Sequence, residues 1–100
     1  MPYTLKYHPA VRTDDIPILN TTNIKSRIRT VIEARLSVAP HEYGEPLRKT
    51  LKGYWKLRVG DYRVAYLIEE QNVLIIGIRH RKEVYRLMEK RINSESFGKS

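Results

Sequence analysis

Lys56, Arg58 and Arg63 are spaced so that a hairpin would bring their charges together. Gly60-Asp61 is a two-residue hairpin signal, and glycine in the first position suits a type II′ turn. With those residues as the loop, Val59 faces Tyr62, Arg58 faces Arg63, Leu57 faces Val64, Lys56 faces Ala65 and Trp55 faces Tyr66. One face then collects Trp55, Leu57, Val59, Tyr62, Val64 and Tyr66, which can be buried. The other collects Lys56, Arg58 and Arg63, and the small Ala65 leaves room for a ligand. Like charges directly opposite each other weaken a sheet. At about 4 Å they repel by ~1 kcal/mol in bulk water and ~4 kcal/mol at an effective dielectric of 20. Folding gives no reason to place such a pair, so it points to an anionic partner. Arg79, His80, Arg81, Lys82 and Tyr85 follow where the last strand gives way to a helix, a natural rim for a site. Alternation leaves the face of Arg79 open, because the Glu69–Asn72 turn can differ in length by one residue.

The residue types set what these positions can do. Arg63 and Arg79 can grip phosphate oxygens with two parallel bonds and do not lose their charge. Lys56 can act as a base only if Arg58 and Arg63 depress its pKa. Tyr85 can stack on a nucleobase, orient a hydroxyl or donate a proton. His80, between Arg79 and Arg81, is favoured in its neutral form and is a rival acid or base. Each has a plain reading as well: a surface lysine, a helix-anchoring tyrosine, a turn histidine. Trp55, Tyr62 and Tyr66 read as core residues. The three histidines, His8, His41 and His80, show no metal-ligand spacing, so neither metal nor cofactor is expected.

The elements that position these groups are legible in outline. One hundred residues suit one small domain. The net charge of +8 draws polyanions: RNA, DNA or an acidic protein. The absence of cysteine excludes disulfides and thiolate metal sites and fits a reducing cytoplasm. No stretch reads as a signal peptide or membrane span, so a cytoplasmic protein without a membrane partner is expected. Thr4–Tyr7 alternates as a first strand, and a short helix after Pro9 ends near Asp14-Asp15-Ile16 because Pro17 follows. Ile24, Ile28, Val31, Ile32 and Leu36 recur at helical spacing, predicting an amphipathic helix over 22–37. Residues 41–50 read as a loop. Strands follow over 55–59, 62–68 and 73–78, the last a continuous apolar run expected at the sheet centre. A helix over 82–92 closes the chain. The domain is expected to span 1–92, with 93–100 a flexible tail. The order β-α-α-β-β-β-α predicts the α+β class: an antiparallel sheet with helices packed on one face.

Several stretches together resemble a known family. They are Gly44-Glu45-Pro46-Leu47, Leu51-Lys52-Gly53, the run Trp55-Lys56-Leu57-Arg58-Val59-Gly60-Asp61-Tyr62-Arg63-Val64, and His80-Arg81-Lys82-Glu83-Val84-Tyr85. The combination is similar to the RelE/ParE superfamily of bacterial and archaeal toxins, over Tyr3 to about Ile92. The resemblance implies a compact toxin domain encoded beside an antitoxin gene. RelE members cut messenger RNA in the ribosomal A site without a metal; ParE members share the fold and inhibit DNA gyrase. The cationic places of the RelE branch fall here on Lys56, Arg58, Arg63 and Arg79, and its C-terminal tyrosine on Tyr85. The resemblance therefore implies a ribosome-dependent endoribonuclease working through 2′-hydroxyl attack, with those five residues catalytic. His80 is then a candidate acid or base, and Lys52, Arg81 and Lys82 are candidate RNA contacts. The implied partners are messenger RNA, the ribosome and a cognate antitoxin that wraps the basic domain with an acidic or amphipathic segment. The alternatives are a ParE-like gyrase inhibitor or an inactive homologue. The sequence departs from the pattern at Arg58, where the best-known members carry lysine. Arginine is a poor proton acceptor, which leaves the base unassigned. It departs again at Pro17, which interrupts a helix that is usually longer.

Overall fold

The computed structural model describes residues 2–19, 22–47 and 53–94. In chain order these form β1 (Thr4–Tyr7), a π-helical turn (Val11–Asp15) and a 3₁₀ turn (Ile16–Ile18). Next come α1 (Thr22–Val31) with a π-helical continuation (Ile32–Leu36), α2 (Pro40–Tyr43) and β2 (Glu45–Pro46). The rest is β3 (Tyr54–Val59), β4 (Tyr62–Glu69), β5 (Asn72–His80) and α3 (Val84–Ser94). The strands make one sheet in the order β1-β5-β4-β3-β2.

Two apolar layers follow from strand alternation. On one face Leu57, Val59, Val64, Tyr66, Val73, Ile75 and Ile78 are buried under Ile28, Ile32 and Leu36 of α1 and its continuation. On the other, Ala65 and Ile76 pack with Leu47 and with Val84 and Met88 of α3. The α+β class holds, with two differences of detail. The sheet is mixed: β1 lies beside β5 and runs parallel to it, from Thr4↔Asn72 to Tyr7↔Ile75. The chain between them crosses through the α1 layer, the kind of long connection a parallel pair requires. The helices also cover both faces, because Ala65 and Leu67 give the cation-bearing side of β4 an apolar half that α3 covers. Ala65 is fully buried there, so the room expected over its small side chain is filled by protein.

The stretch expected to be a loop holds α2 and the edge strand β2, whose Glu45 and Pro46 pair with Lys56 and Trp55. Tyr66 fixes this corner. Its side chain is fully buried and its hydroxyl donates to the Pro40 carbonyl at 2.7 Å. The chain passes so close that a Cβ on Gly44 would lie 1.7 Å from the Tyr66 hydroxyl oxygen, so glycine is required. α3 starts at Val84 and reaches Ser94, two residues beyond the expected end; residues 95–100 of the expected tail lie outside the described residues.

Burial raises the Tyr66 pKa well above the usual phenol value. Tyr7 and Tyr54 are raised as well, in both cases mainly by burial. A proton held more tightly in the folded state stabilises the fold below the unfolded-state pKa of about 10. That stabilisation is lost as pH rises from there toward the folded-state value. Tyr66→Phe is expected to cost about 1 kcal/mol at pH 8 through the lost hydrogen bond. The gap to wild type should narrow at pH 11, as urea unfolding at the two pH values would measure.

Candidate active site

The β3–β4 hairpin has the pairing its turn dictates: Arg58↔Arg63, Lys56↔Ala65 and Trp55↔Tyr66. Gly60 takes a φ of +61° while Asp61 stays out of the left-handed region, the pattern of a turn with glycine in its first position. Lys56, Arg58 and Arg63 thus leave the sheet on the same face as α3, on the part that α3 does not cover. Two clefts open there and share Glu45 and Lys56. One of about 590 Å³ is lined by Glu45, Pro46, Leu47, Lys56 and Tyr85. The other, about 230 Å³, is lined by Tyr43, Glu45, Lys56, Arg58 and Arg63.

Tyr85, in the first turn of α3, reaches back over the sheet. Its hydroxyl accepts from Lys56 Nζ at 2.9 Å, and the same ammonium lies 5.1 Å from the ring centroid. Arg63 is held by its hairpin: Nη1 donates to the carbonyls of Gly60 (3.0 Å) and Tyr62 (2.9 Å). The Nε and Nη2 edge, the one that pairs with two oxygens of a phosphate, is not used in those bonds. Arg58 is exposed. Among the described residues no carboxylate forms an ion pair with Arg58 or Arg63.

Arg79 reaches the cation face through an irregularity. From Glu69↔Asn72 the β4–β5 register runs regularly to Tyr66↔Ile75 and then skips Ile76, so that Ala65 faces Gly77. The extra residue places Arg79 opposite Arg63 and His80 opposite Tyr62. Without it Arg79 would face Tyr62 on the α1 side. Three arginines therefore form a row across β3, β4 and β5, but their guanidinium groups do not all converge. Arg79 turns away to the buried Asp15: its Nε donates to Oδ1 at 3.1 Å and its Nη2 lies 2.9 Å from the same atom.

The remaining expected site residues are more dispersed. His80 sits on the opposite face from Lys56, with its ring edge-on to Tyr62 at 5.9 Å. Its Nδ1 accepts the Lys82 amide proton at 3.2 Å, a turn role. Alternation separates it from Arg79, and it is not a partner in the cleft. Arg81 stays by the hairpin turn, its amide donating to the Asp61 carbonyl and its Nε 3.9 Å from the Asp61 carboxylate. Lys82 is exposed in the turn before α3. Lys52 lies outside the described residues. Glu45 was missed as a site residue. Its signal was the Glu45-Pro46 pair preceding the hairpin, readable as an edge strand because proline is tolerated there.

Comparison with known proteins gives matches in both sequence and structure. The family model described as ParE toxin of type II toxin–antitoxin system, parDE, matches residues 5–85. Toxin RelG of Mycobacterium tuberculosis is 32% identical over 90 residues, covering 86% of this chain and 99% of RelG. The toxin–antitoxin complex RelBE2 from the same organism contains a chain that superposes with a TM-score of 0.72 at 30% identity, over 81% of this chain and 93% of that one. A chain of the RelB–RelE antitoxin–toxin complex from Methanococcus jannaschii shares the fold, with a TM-score of 0.60 at 20% identity over 81% of this chain and 95% of its own.

Proposed function

We propose, from the premise that this chain belongs to the RelE/ParE superfamily of type II toxin–antitoxin toxins, that it is a metal-independent endoribonuclease cutting messenger RNA on the ribosome. The observation that carries the reading is the pair of clefts joined at Glu45 and Lys56, one holding Tyr85 and the other Arg58 and Arg63. Cleavage by the RNA's own 2′-hydroxyl needs a proton acceptor, cations for the growing phosphate charge, and a proton donor for the leaving 5′-oxygen. Arg63 presents its free edge to the non-bridging oxygens, and Arg58 adds charge beside it. Tyr85 accepts from the Lys56 ammonium and keeps its own O–H as a donor toward the leaving oxygen. Lys56, its Nζ anchored on the Tyr85 hydroxyl, is assigned the charge-holding role and not that of the base. Glu45 lines both clefts, and we assign it the role of taking the 2′-hydroxyl proton. That assignment removes the difficulty posed by arginine at position 58.

Expression in cells followed by mapping of messenger RNA 5′ ends tests the reading. Cuts phased to codons within translated regions are expected. A DNA-damage response without such cuts would assign the chain to gyrase inhibition, and no growth effect would mark it as an inactive homologue. Naked RNA is expected to be a poor substrate, because the ribosome supplies the orientation of the scissile phosphate. A cognate antitoxin completes the proposal, in keeping with the complexes formed by its structural relatives. A groove of about 590 Å³ beside α1 is lined by Ile16, Leu19 and Ile28 and by Arg12, Lys25 and an Arg29 paired with Glu33, and its net positive charge suits an amphipathic segment with acidic residues.

A further inference from the structure

Asp15 sits fully buried at the edge of β5, beyond the point where pairing with β1 stops. Its carboxylate stands in for the missing strand. Oδ2 accepts the Ile78 amide proton at 2.9 Å and Arg91 Nη1 at 3.0 Å. Oδ1 accepts Arg91 Nη2 at 3.2 Å and Arg79 Nε at 3.1 Å. A carboxylate offers about four acceptor sites, so this one is saturated. It also carries one negative charge against two guanidinium groups, leaving the cluster with one surplus cation.

The two arginines are not equivalent. Arg91 is buried, 7% exposed, and its Nη1 also donates to the Ile76 carbonyl at 2.7 Å. Gly77 makes room for it: a Cβ there would stand 3.4 Å from Arg91 Nη1 and 3.0 Å from Leu87. Arg91 alone pairs with both carboxylate oxygens and neutralises them. Arg79 is 21% exposed and is opposite Arg63 in the sheet, one strand from the cleft. Neighbouring strands lie about 4.8 Å apart, so the base of its side chain is already at the site. If Arg79 left, Asp15 would keep a two-bond counter-ion and the Ile78 amide, and no buried charge would be stranded.

We propose that Asp15 is a positioning residue that parks Arg79 beside the cleft, and that a phosphate of bound RNA draws Arg79 off Asp15 while Arg91 stays behind. The inference rests on the phosphate-binding reading of Lys56, Arg58 and Arg63. It adds that the third arginine of the row enters only when its carboxylate partner is exchanged for phosphate. The exchange replaces one charge-assisted pair by another. It also separates two like charges that share one carboxylate.

The test is a titration of the full chain, ¹⁵N-labelled at arginine, with a 2′-O-methyl oligoribonucleotide that cannot be cut. The Arg79 Nε–H resonance is expected to shift in step with those of Arg58 and Arg63, while the Arg91 side-chain resonances hold still. A second measurement compares binding of the same oligonucleotide to Asp15→Asn/Arg91→Gln, which leaves net charge unchanged and removes the competing carboxylate. Tighter binding is expected, and the gain should vanish when Arg79→Ala is added. A stationary Arg79 resonance while Arg58 and Arg63 respond would overturn the exchange and leave the phosphate site standing. Silence at all three arginines would overturn both. The titration uses the wild-type chain and does not depend on the variants folding.

Discussion

Arg63→Ala is expected to slow cleavage of ribosome-bound messenger RNA by about 10²–10³-fold while the domain stays folded. The magnitude is that of removing one preorganised donor from a developing oxyanion, ~2.7–4 kcal/mol. Arg63 fits that role because its hairpin carbonyls hold Nη1 in place through bonds that do not use the Nε and Nη2 edge. Little ordering is then needed when phosphate arrives. The fold should not suffer. Arg63 faces Arg58 directly, and removing it relieves a repulsion of ~1 kcal/mol where water screens the pair. Stability and activity should therefore move apart, with the midpoint of thermal unfolding unchanged or raised and the cutting rate collapsed. Arg63→Lys should recover only part of the rate, since lysine keeps the charge and loses the fork. A single-turnover assay on programmed ribosomes measures this, and wild-type cutting by Arg63→Ala would sink the proposed site.

Asp15→Ala should produce the largest loss of stability. The substitution leaves the Arg91 guanidinium buried without its counter-ion and strips the Ile78 amide of its acceptor. Breaking a buried ion pair from one side costs ~3–5 kcal/mol. For a domain with roughly 5–15 kcal/mol in total, that is a large share. At about 4–8 °C per kcal/mol for a chain of this size, Tm should fall by about 12 °C or more. A calorimetric scan showing a drop of only a degree or two would mean that Asp15 does not clamp the fold. Asp15→Asn keeps an acceptor for the Ile78 amide and should fall between wild type and Asp15→Ala.

The hairpin was legible because its register is local. Gly60-Asp61 sets the loop, and every pair from Val59↔Tyr62 back to Trp55↔Tyr66 follows by counting. The alternating apolar residues of β3 and β4 likewise announced the layer under α1. The fate of Arg79 was hidden twice. Its face depends on the skipped Ile76, and the adjacent Gly77, a residue that often marks a bulge inside a strand, was an overlooked signal. Its partner Asp15 lies 64 positions away and reads, in sequence, as the polar end of a short helix. α3 was predicted as an element but not its placement, since helical periodicity gives the apolar stripe of a helix and not the sheet face it covers. Ala65 and Leu67, between the inward residues of β4, were the overlooked signal that the cation face is half apolar.

The placement of β5 between β1 and β4 has a consequence for how the protein is born. The first strand pairs with one that lies 68 positions further along the chain, and Asp15 finds Arg91 across 76 positions. Such distant pairings form late and fold slowly. The sheet and the Asp15 cluster therefore close together at the end of folding, and whatever delays β5 delays both.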